Sequence, residues 1–204
     1  MREFLLYSRN GVTSPDFNLK DLPGSGGRMD LICRSIISAL WLSNDMREDT
    51  KIKICLNGPP DPPLSICFDG SNLKKLSPDE RSIAIWLKKC LKYKDLANDF
   101  WMETHDGIFI SKQDFYGLLD EIRNYGLYLL HREGEDIKEV KIEEDSAFIL
   151  GDNIGLPNDI LERCRERGEK KISVGPKEYF TSQSITLVHN EIDRIEKNSK
   201  SKKG

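Results

Sequence analysis

The sequence predicts an α/β protein in which helices cover the faces of a parallel β-sheet. In the last third, short apolar runs alternate with longer amphipathic stretches: a strand at 147–150 (AFIL), a helix ending at Gly168, a strand at 171–174 (KISV) and a closing helix at 181–198. This βαβ order requires parallel strands joined by crossover helices. Hydrophobic residues make up 38% and charged residues 32% of the chain, which is typical of a globular protein with a buried core.

The first third of the chain begins with a strand and continues through a helix to a pair of strands. Residues 2–8 (REFLLYS) are rich in large hydrophobic side chains, which is typical of a buried strand. After a loop at 15–27, residues 28–43 carry apolar side chains at steps of three and four, as an amphipathic helix does. Residues 51–56 (KIKICL) and 64–68 (LSICF) predict two strands, joined by a stiff proline-rich turn.

The middle of the chain predicts two helices and one strand. Residues 77–93 begin with Ser-Pro-Asp-Glu, in which serine is the predicted N-cap, proline takes the first helical position and glutamate follows three residues after the cap. A second helix start at 111–114 (SKQD) opens a helix to about residue 124, and 127–130 (LYLL) predicts the next strand. Residues 99–110 are too irregular to assign.

Length and charge limit the function. The 204 residues predict a single domain, 1–204, and 31 Lys+Arg against 34 Asp+Glu leave a net charge of −3, which argues against a general nucleic-acid binder. Basic residues are nevertheless concentrated at 74–94 and from Arg194 onward, so a polyanion could bind locally; a solvated helix face is the alternative interpretation.

The chain shows no targeting or membrane signal. No stretch approaches the ~18 consecutive apolar residues of a membrane span, and the start of the sequence becomes charged too early for a signal peptide. We therefore expect a cytoplasmic protein without a membrane partner.

Metal, redox and nucleophilic chemistry have little support in the sequence. The three histidines form no HExxH pair, and the chain has neither a GxSxG elbow nor a GxxxxGK[ST] loop. We expect no metal, and we interpret His189 in the closing helix as a half-buried structural residue. Five cysteines lie in apolar runs without CxxC spacing and are interpreted as reduced core thiols. They are Cys33, Cys55, Cys67, Cys90 and Cys164.

Three glycine-containing loops follow predicted strands, at 129–134 (LLHREG), 150–155 (LGDNIG) and 173–176 (SVGP). Ligands of open parallel sheets bind beyond the carboxyl ends of the strands, where such loops gather. Glycine lets a ligand approach the backbone, whose amide and carbonyl groups can bind the edge of a purine ring. None of the loops matches GxGxxG, and each alone is better explained as a turn; together they indicate a candidate site.

A fourth candidate precedes the first predicted helix, at 24–27 (GSGG). Backbone N–H groups at a helix N-terminus can hold a phosphate, and a flexible loop is the alternative interpretation. Arg28 and Asp30 flank the following helical turn, so a guanidinium and a carboxylate are presented together. A salt bridge without a further role is the alternative for this pair.

Long segments in both halves of the chain carry a family resemblance. They are 148–155 (FILGDNIG), 172–176 (ISVGP) and 182–193 (SQSITLVHNEID) in the last third, and 21–31 (DLPGSGGRMDL) and 73–81 (LKKLSPDER) in the first half. Together they resemble the archaeal TrmY family of tRNA pseudouridine N1-methyltransferases, which belongs to the SPOUT superfamily. The resemblance covers nearly the whole chain.

The resemblance implies a SPOUT-type sheet whose last part, at about 125–198, forms a deep trefoil knot, followed by a flexible basic tail at 199–204. It also implies a homodimer that binds S-adenosylmethionine in the knot, largely through backbone groups. Ser184 and Asn153 depart from the family pattern of Cys and His; a backbone site tolerates both, but a role for a thiol at 184 is in doubt. The residues implied for the cofactor are Leu130, Leu150, Gly151, Gly155, Ser173, Val174, Gly175, Pro176, Lys177, Glu178, Tyr179, Ser184, Ile185 and Thr186.

The implied reaction is methyl transfer to N1 of the pseudouridine at position 54 in the tRNA T-loop, giving N1-methylpseudouridine. N1 carries a weakly acidic proton, and a nearby carboxylate suffices to draw it away without a metal. By resemblance to the Arg-x-Asp element of related enzymes, Asp30 holds or deprotonates the base and Arg28 holds phosphate or base. The residues implied for RNA binding are Arg9, Lys74, Lys75, Arg81, Lys88 and Lys89.

Other functions compete with this one. Pseudouridine in small-subunit rRNA is an alternative substrate, and a non-catalytic RNA-binding or ribosome-assembly factor is an alternative of a different class. A phosphate-binding nucleotide enzyme that uses 24–27 is disfavoured, because no strand leads directly into that loop. Since much of the opposing acid lies at 133–145, we expect tRNA binding to be modest in affinity and salt-sensitive, with the modified base supplying specificity.

Overall fold

The structure is a computed structural model of the chain, and it describes residues 1–74 and 76–201, with side chains through residue 197. Its strands are β1 (Arg2–Ser8), β2 (Thr50–Leu56), β3 (Leu64–Asp69), β4 (Met102–His105), β5 (Ile108–Ser111), β6 (Gly126–Asp136), β7 (Ser146–Gly151) and β8 (Lys170–Ser173). Its helices are α1 (Leu22–Ser25), α2 (Met29–Leu40), α3 (Glu80–Leu91), α4 (Phe115–Glu121), α5 (Asn158–Glu166) and α6 (Thr181–Ser201). No helix within these residues is long and apolar enough to cross a membrane.

All of these strands lie in one sheet of order β4-β5-β3-β2-β1-β7-β6-β8. Four neighbouring pairs in this order are parallel: β2 with β1, β1 with β7, β7 with β6, and β6 with β8. This confirms the α/β class and a sheet dominated by parallel strands. The sheet is nevertheless mixed, because β3, β5 and β4 extend it as antiparallel strands. β3 must reverse direction since the connection from β2, at 57–63, is shorter than the roughly dozen residues that a parallel crossover needs.

The hydrophobic core occupies both faces of the sheet. On one face α2, α3 and α6 pack against Phe4 and Leu6 of β1, and on the other α4 and α5 pack against Leu5. Successive strand residues point to opposite faces, so the unbroken apolar run of β1 supplies both layers. All five cysteines are free and buried, and burial raises the pKa of each thiol, in agreement with their interpretation as core residues.

The segment at 99–110 forms part of a hairpin. β4 and β5 are joined by a turn at Asp106-Gly107, in which Gly107 has a φ of 72°. An Asp-Gly pair is a hairpin signal because glycine adopts positive φ without strain. The sequence pattern obscures the hairpin because β4 (METH) is short and largely polar.

Two helices start at an aspartate, later than the sequence predicts. The prediction of Ser77 as the N-cap of α3 is wrong: Asp79 caps the helix, and its carboxylate accepts a hydrogen bond of 2.8 Å from the N–H of Ser82. Asp114 caps α4 in the same way, and the helix begins at Phe115, directly after the segment 111–114 that predicts its start. Aspartate and serine are comparable N-caps, and the local sequence does not decide between neighbouring candidates.

β6, α6 and the loop before α2 also differ from the predicted boundaries. The predicted loop at 129–134 lies inside β6. It forms a bulge there: pairing with β8 stops after Leu130 and resumes at Glu135, and both of these residues are opposite Ile172. α1 occupies part of the predicted loop at 15–27. α6 runs through Ser201, beyond its predicted end at residue 198, and residues 202–204 of the predicted tail lie outside the described part of the chain.

His189 of α6 is the structural residue that the sequence predicts, and its side chain is more deeply buried than expected, at 2% exposure. Its Nε2 donates a hydrogen bond of 2.9 Å to the carbonyl of Ala39, and its ring packs edge-on against Phe4 at 4.9 Å. Nδ1 faces the Arg2 guanidinium at 3.4 Å and accepts from it, so the ring is neutral. Burial, reinforced by the charges of Arg47 and Arg2, lowers the pKa of His189 to about 3.

This buried imidazole makes the stability of the protein depend on pH. Below about pH 6.5 the unfolded chain binds a proton on this ring and the folded chain does not, so stability falls as the pH decreases from 6.5 toward 3. Between pH 7 and pH 5 the wild-type protein should lose about 2 kcal/mol more unfolding free energy than His189→Gln does. Urea unfolding of both proteins at the two pH values measures this difference. Equal losses would contradict the prediction.

Candidate active site

The carboxyl ends of β1 and β7 are held together by one buried carboxylate. The backbone N–H of Asp152, just after β7, donates to the carbonyl of Tyr7 at 3.0 Å. The Asp152 side chain accepts hydrogen bonds from the N–H groups of Arg9 at 2.6 Å and Ile154 at 2.9 Å, and the residue is only 8% exposed. Asp152 thus joins the turn after β1 to the loop after β7.

Arg28 lies beside that turn in a strained backbone conformation. It is the N-cap of α2, with φ of 71° and ψ of 33°, and among the described residues it is the one non-glycine with positive φ. Gly27 has a φ of 59°, and a Cβ on it would overlap the carbonyl oxygen of Asn10. A left-handed conformation costs a non-glycine residue about 1–2 kcal/mol and persists where the surrounding structure enforces it. The close contact with Asn10 therefore holds Arg28 at the carboxyl edge of the sheet.

Arg28 and Asp30 form the salt bridge considered from their spacing, and a third residue joins it. Nε and Nη2 of Arg28 donate to the two carboxylate oxygens of Asp30 at 3.0 and 3.1 Å. Arg34, one turn further along α2, donates to the same carboxylate at 2.6 Å and also contacts Glu80 of α3 at 3.3 Å. The Asp30 side chain is 9% exposed, whereas that of Arg28 is 37% exposed, so a ligand can reach the guanidinium from solvent.

The electrostatics of this cluster keep Asp30 ionised. Burial opposes ionisation of its carboxyl, but the hydrogen bonds and charges of Arg28 and Arg34 outweigh that effect and hold the pKa of Asp30 below its usual value. A carboxylate of low pKa is a weak proton acceptor, but it stays ionised and can still accept a hydrogen bond. The cluster is therefore suited to orient an N–H group and to stabilise negative charge beside it.

The loop at 24–27, for which the sequence left a phosphate cradle and a flexible loop as alternatives, has no free cradle in this structure. The N–H groups of Gly24 and Ser25 both donate to the carboxylate of Asp21, at 3.0 Å each. The N–H of Arg28 donates to the carbonyl of Pro23 at 3.0 Å. An anionic side chain of the protein itself thus occupies the position that a phosphate would take.

The three predicted loops meet at the same edge of the sheet, since β7, β6 and β8 are neighbours. Arg132, in the bulge of β6, forms an ion pair of 3.0 Å with Glu178 in the loop after β8. The hydroxyl of Thr181, at the start of α6, donates to the carbonyl of Gly151 at 3.0 Å. These contacts link the loop at 129–134 to the segment after β8, and the loop at 150–155 to α6.

The backbone of these loops leaves room for a flat ligand. Gly155 has a φ of 85°, and no atom lies within 4 Å of the position that a Cβ would take. Gly151 packs directly on Gly155, with only 2.7 Å between its hypothetical Cβ and the carbonyl carbon of Gly155. Bare peptide groups beside open space fit a cofactor that is bound through backbone atoms.

The other residues predicted for the cofactor divide by exposure. Leu150 and Ile185 are buried in the core, so only their backbone groups can face a ligand. None of the residues predicted for the cofactor lines the three surface cavities of about 320, 610 and 230 Å³. Half-buried positions are Leu130, Ser173, Val174, Gly175 and Ser184, and exposed positions are Pro176, Lys177, Glu178, Tyr179 and Thr186.

The residues predicted for RNA binding lie around the start of α2 and along α3. Arg9 is half-buried in the turn after β1, and its buried Nε has no hydrogen-bond partner among the described residues. Lys88 donates to the carbonyl of Phe17 at 2.7 Å, which ties α3 to the loop before α1. Lys74, Arg81 and Lys89 are exposed. Lys75 lies outside the described residues.

Two polar residues of this site, Arg34 and Asp152, are not among the residues predicted from the sequence. Arg34 stands four residues after Asp30, a spacing that places the two side chains on one face of a helix. Asp152 directly follows a buried strand within the GDNIG segment, a position where side chains gather in parallel sheets. Within the described residues, no group of three or more His, Cys, Asp or Glu side chains is arranged to hold a metal ion.

The chain is similar in sequence to two archaeal proteins of known name. The chain is 45% identical over 199 residues to the tRNA (pseudouridine(54)-N(1))-methyltransferase of Methanococcus maripaludis strain C6, covering 96% of this chain and all of the relative. It is 42% identical over 200 residues to the protein of the same name from Methanocaldococcus jannaschii, covering 95% of this chain and 97% of the relative.

In fold, the chain is similar to a solved structure, Archaeoglobus fulgidus Nep1 bound to S-adenosylhomocysteine. The TM-score is 0.58 at 16% identity, and the match covers 96% of this chain and 97% of that one. Residues 1–197 match the family described as "Putative SAM-dependent RNA methyltransferase". The chain therefore belongs to this family of SAM-dependent RNA methyltransferases.

Proposed function

We propose that this protein transfers a methyl group from S-adenosylmethionine to N1 of the pseudouridine at position 54 in the T-loop of tRNA. Relatives of 42–45% identity across nearly the whole chain carry that activity in their names. One structural observation carries the proposal: the Arg28–Asp30 pair and the loop after β7 lie at the same edge of the sheet. The turn after β1 joins them, because Asp152 of that loop binds Arg9 in the turn, and Asn10 in the turn packs against Gly27 beside Arg28.

The cofactor loops fit S-adenosylmethionine, which supplies a methyl group on a positively charged sulfur. The open backbone of Gly155 beside Gly151 would accept a flat ring, and the neighbouring amide and carbonyl groups would bind its polar edge. The segment at 173–179 would form the opposite wall, and Ser184 to Thr186 of α6 the floor. The exposed Glu178 carboxylate, paired with Arg132, would stand at the rim.

The Arg28–Asp30 pair is proposed to prepare N1 of the pseudouridine. The ionised Asp30 accepts a hydrogen bond from N1–H, which orients the nitrogen lone pair as the proton is drawn away. Negative charge then develops on the uracil ring, and the half-exposed Arg28 guanidinium stabilises it. Because the pKa of Asp30 is lowered, its main role is to orient and polarise N1–H, and the proton passes on to water.

We extend the proposal to the assembly. The whole chain acts as one domain, and its last part, at about 125–198, forms a trefoil knot. The protein acts as a homodimer in the cytoplasm, where tRNA is modified. Exposed apolar side chains beside the cofactor loops support a partner subunit there: Ile154 is 50%, Tyr179 39% and Phe180 75% exposed.

The test uses two synthetic T-arm hairpins that differ only in uridine or pseudouridine at position 54. Each is incubated with methyl-labelled S-adenosylmethionine, and the nucleosides are analysed by mass spectrometry. We expect labelled N1-methylpseudouridine from the pseudouridine hairpin and no product from the uridine hairpin. A small-subunit rRNA hairpin that contains pseudouridine is the third substrate. Faster methylation of that hairpin would overturn the assignment to tRNA, and absence of methylation of all three would overturn the enzyme assignment.

A further inference from the structure

An aromatic and basic surface lies on α3, the turn that follows it and the β4–β5 hairpin, outside the candidate active site. The His105 ring packs at near right angles against Trp86, at 5.1 Å between centroids, and against Tyr93, at 5.8 Å. The ammonium of Lys89 lies 3.7 Å from the centroid of the Trp86 ring. Tyr93 is 38% exposed. We call these four residues, Trp86, Lys89, Tyr93 and His105, the α3 platform.

Several exposed basic side chains of α3 and the turn after it are available to bind an anion. In the part of the chain that the structure describes, the exposed side chains of Arg81, Lys89 and Lys92 form no ion pair. Lys94 differs, because its ammonium is paired with Asp61 at 2.6 Å and Asp95 at 3.2 Å. Solvated cations without an acidic partner on an otherwise acidic protein favour phosphate as the ligand, since binding releases counterions from the nucleic acid.

The aromatic side chains fit the base that accompanies such a phosphate. Burial and the charge of Lys89 lower the pKa of His105, so its ring is neutral at physiological pH and acts as an aromatic support. Exposed aromatic rings beside lysines are the usual stacking surface for unpaired bases. Packing by His105 from the side holds the Tyr93 ring in place and leaves part of it accessible to solvent.

The position of the platform excludes the reacting base as its ligand. α3 begins beside the active-site cluster, because Glu80 contacts Arg34 at 3.3 Å. At ~1.5 Å of rise per helical residue, Trp86 lies about 9 Å along the helix from that contact. Tyr93 lies at the far end of α3, two residues after the last helical residue, Leu91. A nucleotide bound there belongs to the same RNA as the target base and lies several nucleotides away from it.

We propose that the α3 platform binds an unpaired base of the tRNA substrate, which stacks on Tyr93, while Lys89 and Lys92 contact its phosphate. The proposal rests on the proposed function, since it assigns a second contact on the same RNA. The contact lets the protein recognise a folded tRNA by a feature remote from the methylated nucleotide.

The test compares Tyr93→Ala, Tyr93→Phe and Lys89→Ala with wild type in steady-state methylation of full-length tRNA that contains pseudouridine at position 54. Loss of one stacked base should raise the KM for tRNA about 5- to 10-fold in Tyr93→Ala, and Tyr93→Phe should restore it. Lys89→Ala should raise KM and flatten the dependence of log KM on log salt concentration by nearly one unit. The kcat and the affinity for S-adenosylmethionine, measured by calorimetry, should stay unchanged.

Phe100→Ala is the matched control, because its ring is 80% exposed and lies outside the platform. Its KM should equal that of wild type. A KM within twofold of wild type in Tyr93→Ala would overturn the platform while leaving the proposed function intact, and it would favour a protein partner for this surface. A fall in cofactor affinity or in kcat with unchanged KM would also overturn it, since it would reveal a structural effect. Failure of wild type to methylate tRNA would overturn the proposed function and the platform together.

Discussion

Replacing Asp30 by alanine is expected to reduce the single-turnover rate of methyl transfer at least about 100-fold, the usual contribution of a positioned acid–base group. The substitution removes the carboxylate that would accept N1–H of the pseudouridine. It leaves the Arg28 guanidinium without its partner and Arg34 paired only with Glu80, but the Arg28 and Arg34 side chains are 37% and 39% exposed and water can solvate them. Affinity for S-adenosylmethionine should therefore remain near that of wild type. Rapid-quench assays with enzyme in excess over tRNA measure the rate.

Glu80→Gln is the matched control for this experiment. Glu80 contacts Arg34 from α3 and lies at the edge of the same cluster, but it makes no contact with Arg28. Its removal should change the rate less than about twofold, as expected for a pair exposed on both sides. Full activity of Asp30→Ala, with normal tRNA binding, would show that the carboxylate at position 30 neither orients nor polarises N1–H. A loss in Glu80→Gln as large as that in Asp30→Ala would show that cluster geometry, not the carboxylate at 30, limits the rate.

The parts of the fold that the sequence predicts well are those determined by local pattern. β1 and β7 are buried on both faces, so each appears as an unbroken apolar run. The Arg28–Asp30 pair follows from a spacing of two residues at a helix start. The hairpin of β4 and β5 is less predictable, because β4 is stabilised by pairing with β5 and carries little hydrophobic pattern of its own.

The candidate site depends more on contacts between distant segments. The carboxylate of Asp152 binds the backbone of Arg9, 143 positions away, and no local pattern indicates that pairing. The sequence also does not identify Asp79 as the N-cap of α3, because serine and aspartate are comparable caps and occupy nearby positions. Net charge also gives no indication of an RNA-binding surface. It is a sum over the whole chain, and it does not distinguish the unpaired cations of α3 from residues that form ion pairs elsewhere.

A second large effect is expected at Gly27, where alanine should destabilise the protein by about 3 kcal/mol or more. Part of this is conformational, because Gly27 has a φ of 59°, and an L-residue there costs about 1–2 kcal/mol. The larger part is steric: a Cβ at Gly27 would overlap the carbonyl oxygen of Asn10. Asn10 cannot easily retreat, because Gly58, in the turn after β2, packs against the same carbonyl. Urea unfolding of the variant and wild type measures the loss.

Gly168→Ala separates the two contributions. Gly168 has a φ of 73°, close to that of Gly27, but no atom lies within 4 Å of its hypothetical Cβ. Alanine there should cost only the conformational ~1–2 kcal/mol, and methylation should be unaffected. Gly27→Ala, in contrast, must displace Asn10 and with it Arg9, whose N–H binds Asp152 at 2.6 Å. Its methylation rate should fall even under conditions in which the protein stays folded. Equal destabilisation by the two variants would mean that the turn after β1 yields freely, and Arg28 would then owe its left-handed conformation to some other contact.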